Sequence, residues 1–531
     1  MTHHRRASRR AGILVPLFSI PSSQSWGIGE IGDIEAMARW LDAAGQRVLQ
    51  LLPINEMPPG ETSPYSALSA MAIDPQFITL EHCGDFAEIG GEGGLDAGLR
   101  ERLDQARGSP FVDYSTVRDL KHRTLRRCFA HFRDRELTTD TRRAGAFRAF
   151  VREQAWWLDD YALFRALHAK YREAAWTNWP DPVQRRDPAA LDAARAELAD
   201  DILFRQYVQW NAADQWGTAR DRAGDIALFG DLPFMVSADS ADVWARQDEF
   251  RLDASAGVPP DAFSETGQDW GLPVYRWDVL AERDFDWLRN RARRNADIYD
   301  GYRVDHLVGF YRTYFRPHDG SQPQFTPLDQ KAQVTQGERV LAVFREPGTE
   351  IIAEDLGLVP EFVRESLARL KVPGYKVFRW ERHWNKKGQP FKDPKTYPAV
   401  SVATSGTHDT EPLVMWWEAA PREEKEAVLA IPSIHERLTA EDNPAGLEAP
   451  TLPHAVHEAV VESLYASGSN TLILPIQDVF GWRDRINQPA TVRDENWRWR
   501  LPDALDRLPL APTGIRVAKQ LRKWSEAYGR I

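Results

Sequence analysis

Three stretches of the chain carry acidic side chains directly after short apolar, β-rich runs: Arg303-Val304-Asp305-His306, Ala353-Glu354-Asp355 and Gly406-Thr407-His408-Asp409. If each run is a parallel strand, the three acids emerge at one end of one sheet. Two carboxylates on neighbouring strands suit retaining glycoside chemistry, in which one attacks the anomeric carbon and the other, ~5–5.5 Å away, gives and takes the proton. A third acid can bind sugar hydroxyls. Arg303 precedes Asp305 by two residues, so it shares a strand face and can hold that acid ionised. Whichever carboxyl serves as the acid must start each cycle protonated, and nearby carboxylates push its pKa upward. Taken singly, each acid also suits the N-cap of a following helix. The chemical rival is a metal–carboxylate barrel, with acids on successive strands holding Mg²⁺ beside a Lys base. Against it, Arg303 is a competing cation and the third acid skips a strand. Strand alternation turns His306 to the face opposite Asp305, but alternation fails at a strand end, so a place at the mouth and a core or supporting histidine both stay open.

The elements that must position these groups recur as apolar runs bounded by turn residues and followed by helical periodicity, the pattern of parallel strands with crossover helices. The runs are Ile13–Leu17, Val48–Leu52, Ile226–Leu232, Tyr302–Asp305, Glu350–Ala353, Tyr375–Phe378, Val400–Ala403 and Thr471–Leu474. Eight such runs predict a (β/α)8 barrel, whose sites lie at the strands' C-terminal ends. Asp33 as N-cap, the stripe Ile34, Met37, Ala38, Leu41 and a terminating Gly45 predict the first helix. Two gaps are too long for simple crossovers. Residues 56–224 read as a helical insertion, with the stripe Leu191, Ala194, Leu198, Ile202, and residues 237–285 as a loop-rich one covering the site. With no repeat or flexible linker, residues 11–531 read as one catalytic unit.

Residues 1–10, with Arg5, Arg6, Arg9 and Arg10, imitate a signal sequence before the run Gly12–Ile20. That run is short, contains Pro16 and lacks a small-x-small cleavage site, so the reading is a disordered basic tail before a first strand. The chain of 531 residues has a formal charge of −11, which opposes a dominant nucleic-acid or membrane surface. Only Cys83 and Cys128 occur, too few for a disulfide framework or a cysteine zinc site and in keeping with a reducing, cytoplasmic compartment. No run reaches the ~20 apolar residues of a membrane span. The 20 Trp residues offer flat faces suited to sugar rings as well as to a large core. Cys83, Cys128 and the pair Trp156-Trp157 read as packing.

Several motifs, in this order, resemble glycoside hydrolase family 77, the amylomaltase or 4-α-glucanotransferase family of the α-amylase clan. They are Trp26-Gly27-Ile28-Gly29, Ser63-Pro64-Tyr65-Ser66, Gly230-Asp231-Leu232-Pro233, Asp239-Ser240-Ala241-Asp242-Val243-Trp244, Gly257-Val258-Pro259-Pro260-Asp261, the three acidic stretches, and Asn496-Trp497-Arg498-Trp499-Arg500. The resemblance implies that Asp305 is the nucleophile, Glu354 the acid/base and Asp409 the transition-state stabiliser. It also implies that Arg303, His408, Tyr65, Asp231 and Trp244 bind substrate, and that Gly257–Trp277 covers the acceptor sites with Phe263, Trp270 and Tyr275. The implied substrates are α-1,4-glucans and glucose, without cofactor or metal and without nucleic-acid or membrane partners. A hydrolase of the same clan and a catalytically inactive glucan-binding protein are the alternatives. Three departures from the family pattern cluster around the acceptor: Ala262 for a tyrosine, Leu272 for an asparagine, and Thr410-Glu411-Pro412 for Asn-Asp-Thr.

Overall fold

The computed structural model describes residues 9–260, 267–438, 447, 449–489 and 491–531. Its strands are β1 Arg10–Leu14, β2 Val48–Gln50, β3 Ala227–Leu232, β4 Phe250–Val258, β5 Gln268–Tyr275 and β6 Gly301–Val304. They continue with β7 Thr313–Pro317, β8 Gln324–Thr326, β9 Glu350–Ala353, β10 Gly374–Val377, β11 Ser401–Thr404 and β12 Thr471–Pro475. Eight of them close a parallel barrel in the order β1-β12-β11-β10-β9-β6-β3-β2. All eight predicted runs supply a barrel strand. The first is shifted: β1 starts at Arg10, and Leu17 lies in a 3₁₀ turn. Arg10, expected in the basic tail, therefore pairs in the sheet and bonds Glu350, while residues 1–8 lie outside the described residues.

Close packing inside the barrel selects small residues at crossings. A Cβ at Gly301 would stand 2.6 Å from the Phe229 ring, and one at Gly230 would stand 2.3 Å from Tyr299. The first helix, Asp33–Ala43, buries the whole predicted stripe. Its N-cap is Gly32 instead of Asp33, because the Asp33 carboxylate is taken by the Glu30 amide and the Ser25 hydroxyl, both at 2.7 Å. Between β2 and β3 the chain forms mainly helices, the longest being Tyr114–Phe132, Arg142–Lys170 and Ala199–Arg222.

The expectation of a loop-rich segment between the third and fourth barrel strands needs correction. β4 and β5 form an antiparallel hairpin there, and β7 and β8, which follow β6, extend it into a four-stranded sheet in the order β5-β4-β7-β8. Gly257, Gly271 and Pro273 break the alternation that marks a strand, and the ladder has register shifts at Arg251/Ser255 and Ala256/Gly257. Its pairing with β7 is contributed by residues beyond the next barrel strand, which local pattern cannot show.

Candidate active site

Asp305 and Glu354 emerge side by side because β6 and β9 pair in register, Val304 opposite Ala353. Neighbouring strands lie ≈4.7–4.9 Å apart, so Asp305 and Glu354, one residue further on, leave adjacent strand ends. The Asp305 amide donates to Leu232 O at 2.9 Å and the Glu354 amide to Val304 O at 3.1 Å, which carries the sheet pattern one step into the mouth.

Arg303 is buried in the barrel and bridges two acids. It donates to both Asp231 oxygens at 2.8 Å and lies 2.7 Å from Asp305 Oδ1. The Asp305 side chain is 34% exposed and so remains open to a ligand, whereas that of Asp231 is fully buried. Tyr65 donates its hydroxyl to Asp231 Oδ2 at 2.9 Å, and its ring stacks on His408 with centroids 5.4 Å apart. Asp231 was expected to touch a sugar. Its oxygens are instead taken by Arg303 and Tyr65, so it anchors two groups that face the mouth.

Glu354 accepts backbone N–H groups on both oxygens, from His306 and from Leu356, each at 2.9 Å. Burial raises its pKa, Arg303 opposes this and Asp305 adds to it, and the carboxyl is pushed up to about 7. His306 reaches this amide geometry with φ +44°, and its ring packs on Phe234 and edge-on to Trp270 at 4.9 Å. Burial pushes its imidazole down to about 4, so it is neutral at pH 7.

Asp409 sits in a turn after β11 that Thr407 and Thr410 close with hydrogen bonds of 3.0 Å. Burial would raise its pKa, but His408, 3.4 Å away, and Asn487, donating at 2.6 Å, hold it well below the usual carboxylate range. Arg485 donates to the Asp409 carbonyl at 2.8 Å. The departure at Glu411 has a visible partner set: it pairs Arg379 at 2.9 Å and approaches Arg485 at 3.7 Å. Leu272 packs against the core on β5.

The structure thus brings Asp305, Glu354, Asp409, Arg303, His408, Tyr65 and Asp231 together, with Trp270 beside His306. It does not bring Trp244, which is fully buried against Phe164 and Trp179 with its indole N–H donated to Val183 O. Tyr275 is likewise buried, donating to Phe234 O. Phe263 and Ala262 lie outside the described residues. Asn487 and Arg485 were not foreseen, since they lie far along the chain from Asp409 and within no acidic motif. Trp497, which stands in a quoted motif, had no assigned role; it packs on both Tyr65 and His408 at 5.7 Å. Among the described residues no cluster of His, Cys, Asp and Glu could hold a metal ion, and no helix is long and apolar enough to cross a membrane.

The chain as a whole is similar to known proteins. The family described as 4-alpha-glucanotransferase matches residues 15–506. A 4-alpha-glucanotransferase of Thermus thermophilus is 34% identical over 93% of this chain and 95% of its own, and one of Chlamydia pneumoniae is 31% identical over 95% and 93%. The solved amylomaltase from Streptococcus agalactiae, in complex with acarbose, is 28% identical and superposes with a TM-score of 0.81 over 98% of this chain and 99% of that one. With the match running through all three acidic stretches and the barrel that carries them, the chain belongs to glycoside hydrolase family 77, the 4-alpha-glucanotransferases.

Proposed function

We propose that the barrel mouth transfers an α-1,4-glucan segment to the 4-hydroxyl of another glucan or of glucose by double displacement. In the first step Glu354 donates its proton to the glycosidic oxygen as ionised Asp305 attacks the anomeric carbon. The C–O bond to the leaving chain breaks, and an ester forms between Asp305 and the sugar. Esterification removes the Asp305 charge that raises Glu354, so the acid/base becomes more acidic when it must act as a base. In the second step Glu354 takes the proton of the acceptor 4-hydroxyl, whose oxygen displaces Asp305. Two inversions give net retention.

Asp409 is held ionised throughout and binds sugar hydroxyls as positive charge develops on the ring; His408 and Tyr65 form the wall beside it. The observation that carries this reading is the in-register pair Asp305 and Glu354 bridged electrostatically by Arg303. The acarbose held by the Streptococcus relative supports a glucan-like ligand. Incubation with maltotriose tests it: a ladder of longer maltodextrins plus glucose is expected. Release of glucose and maltose alone would assign hydrolysis, and no turnover would assign binding only.

A further inference from the structure

A cavity of about 560 Å³ lies away from the three acids, between the loop after β2 and helices Tyr114–Phe132, Arg142–Lys170 and Ala199–Arg222. Lysines and arginines in its lining equal the acids in number but not in engagement. Glu56 accepts from Tyr161 and from Arg165 at 3.0 Å, and Glu173 from Arg165 and His168 at 3.0 and 2.8 Å. Asp74 accepts the Met57 and Gln76 amides at 3.0 and 2.9 Å, and Asp113 caps its helix through the Thr116 amide. Asp119 is held by Arg102 and Arg123, and Glu61 is exposed. Every buried acid already has its partners.

The cations are not all so matched. Lys121 pairs Glu30, Arg126 pairs Asp201, and Arg498 donates to Val112 O. Arg205 is only 6% exposed, lines the cavity, and finds no hydrogen-bond acceptor among the described residues; its Nε is buried without a partner. Arg118 lies in the field of Asp74 and Glu56, and among the described residues its hydrogen-bond acceptor is the Gln76 amide oxygen, at 3.0 Å with that amide turned to accept. Arg126 and Arg205 stand 3.8 and 5.4 Å from the Phe204 ring, with His122 edge-on to it at 5.5 Å.

We infer that this cavity is an oxoanion site in which Arg205, supported by Arg118, holds the phosphate of a small phosphorylated molecule. A guanidinium nitrogen buried without an acceptor is unfavourable, and a phosphate entering the cavity supplies charge and acceptors in the geometry the Arg205 fork requires. The cationic field shows on the adjacent histidine: burial, Arg205 and Arg126 push His122 down to about 4, while burial and Arg165 lower Arg205 to about 10 against the opposing pull of Glu56. The volume exceeds that of a bare phosphate and leaves room for an attached hexose-sized group.

Calorimetric titration of the full chain at constant ionic strength tests the site with inorganic phosphate, a hexose monophosphate and the same hexose unphosphorylated. Saturable one-site binding of a phosphate-bearing probe is expected, weakened at least ~10-fold in Arg205→Gln and measurably in Arg118→Gln. Circular dichroism of each variant establishes that it is folded, and Arg118→Gln carries the test if Arg205→Gln is not. Equal affinity for both phosphorylated probes assigns the site to phosphate itself; tighter binding of the monophosphate assigns the rest of the cavity to the sugar. No binding of either, unchanged affinity in both variants, or equal affinity for the unphosphorylated hexose overturns the inference.

Discussion

At the scale of single residues, burial and a charged neighbour set one carboxyl group of the pair, Glu354, apart. Arg303 lies against Asp305, while Glu354 is pushed up to about 7 by burial and by Asp305. Asp305→Asn and Glu354→Gln change little volume and remove the nucleophile and the proton carrier, so each should lower kcat by ~10²–10⁴-fold or more with the fold intact. A glucosyl fluoride donor separates the roles: with little need for an acid, Glu354→Gln should accumulate a glycosyl ester on Asp305, seen by mass spectrometry. Activity of either variant above about a tenth of wild type would remove its assigned role. The pH profile gives a second test. Glycosylation requires protonated Glu354, so kcat/KM for maltotriose should fall as pH rises through about 7, by ~10-fold per unit beyond it. The fluoride donor should lack that limb; a limb identical for both donors would assign it to another group. The three acids were legible in sequence because each follows an apolar run. Asn487 was not, because nothing local marks an amide contributed by the loop after β12 as the partner of Asp409.

At the scale of elements, the barrel strands were readable because each is short, apolar and closed by turn residues, while the sheet beside the mouth was not. β5 begins at Gln268 and carries Trp270 to His306, whose amide holds Glu354. The hairpin therefore reaches the Asp305–Glu354 pair through aromatic contacts on His306, directly from Trp270 and through Phe234 from Tyr275. Trp270 is half-buried and presents an aromatic surface at the mouth, where it can cover a sugar ring and exclude water from the glycosyl ester. Trp270→Ala should raise the acceptor KM or the share of hydrolysis by about 3–10-fold, with little change in ester formation from glucosyl fluoride. The measurement is partition of one donor between acceptor and water at several acceptor concentrations. If partition and KM are unchanged, the β4–β5 hairpin does not line the acceptor site. If ester formation falls as well, Trp270 acts through His306 on Glu354 instead.

At the scale of the whole molecule, a barrel must join its last strand to its first, and here β12 pairs β1 along the full length of both. Sequence periodicity reveals strands but not what locks that seam, because the lock is a single side chain distant from most of its partners. Arg530 is fully buried and donates to the carbonyls of Tyr465, Ser467, Ser469, Asn470 and Arg10. These partners comprise the first residue of β1 and the segment leading into β12, so one guanidinium spans both sides of the closure. Burial and the nearby Arg9 lower its pKa to about 9, yet it remains charged at pH 7, compensated by carbonyl dipoles. Arg530→Met fills a similar volume but leaves those buried carbonyls without a donor, at ~1–3 kcal/mol for each group left unsatisfied and not relieved by water. The expected result is a loss of about 2–4 kcal/mol in unfolding free energy, read from denaturant midpoints at unchanged slope. The maltotriose KM should be unaltered, because the seam's Arg530 end lies at the strands' N-terminal ends and the catalytic acids at their C-terminal ends. A variant of wild-type stability would show that the seam is held by the β1–β12 ladder alone. A variant of normal stability but altered KM would show that closure and mouth geometry are coupled through the barrel.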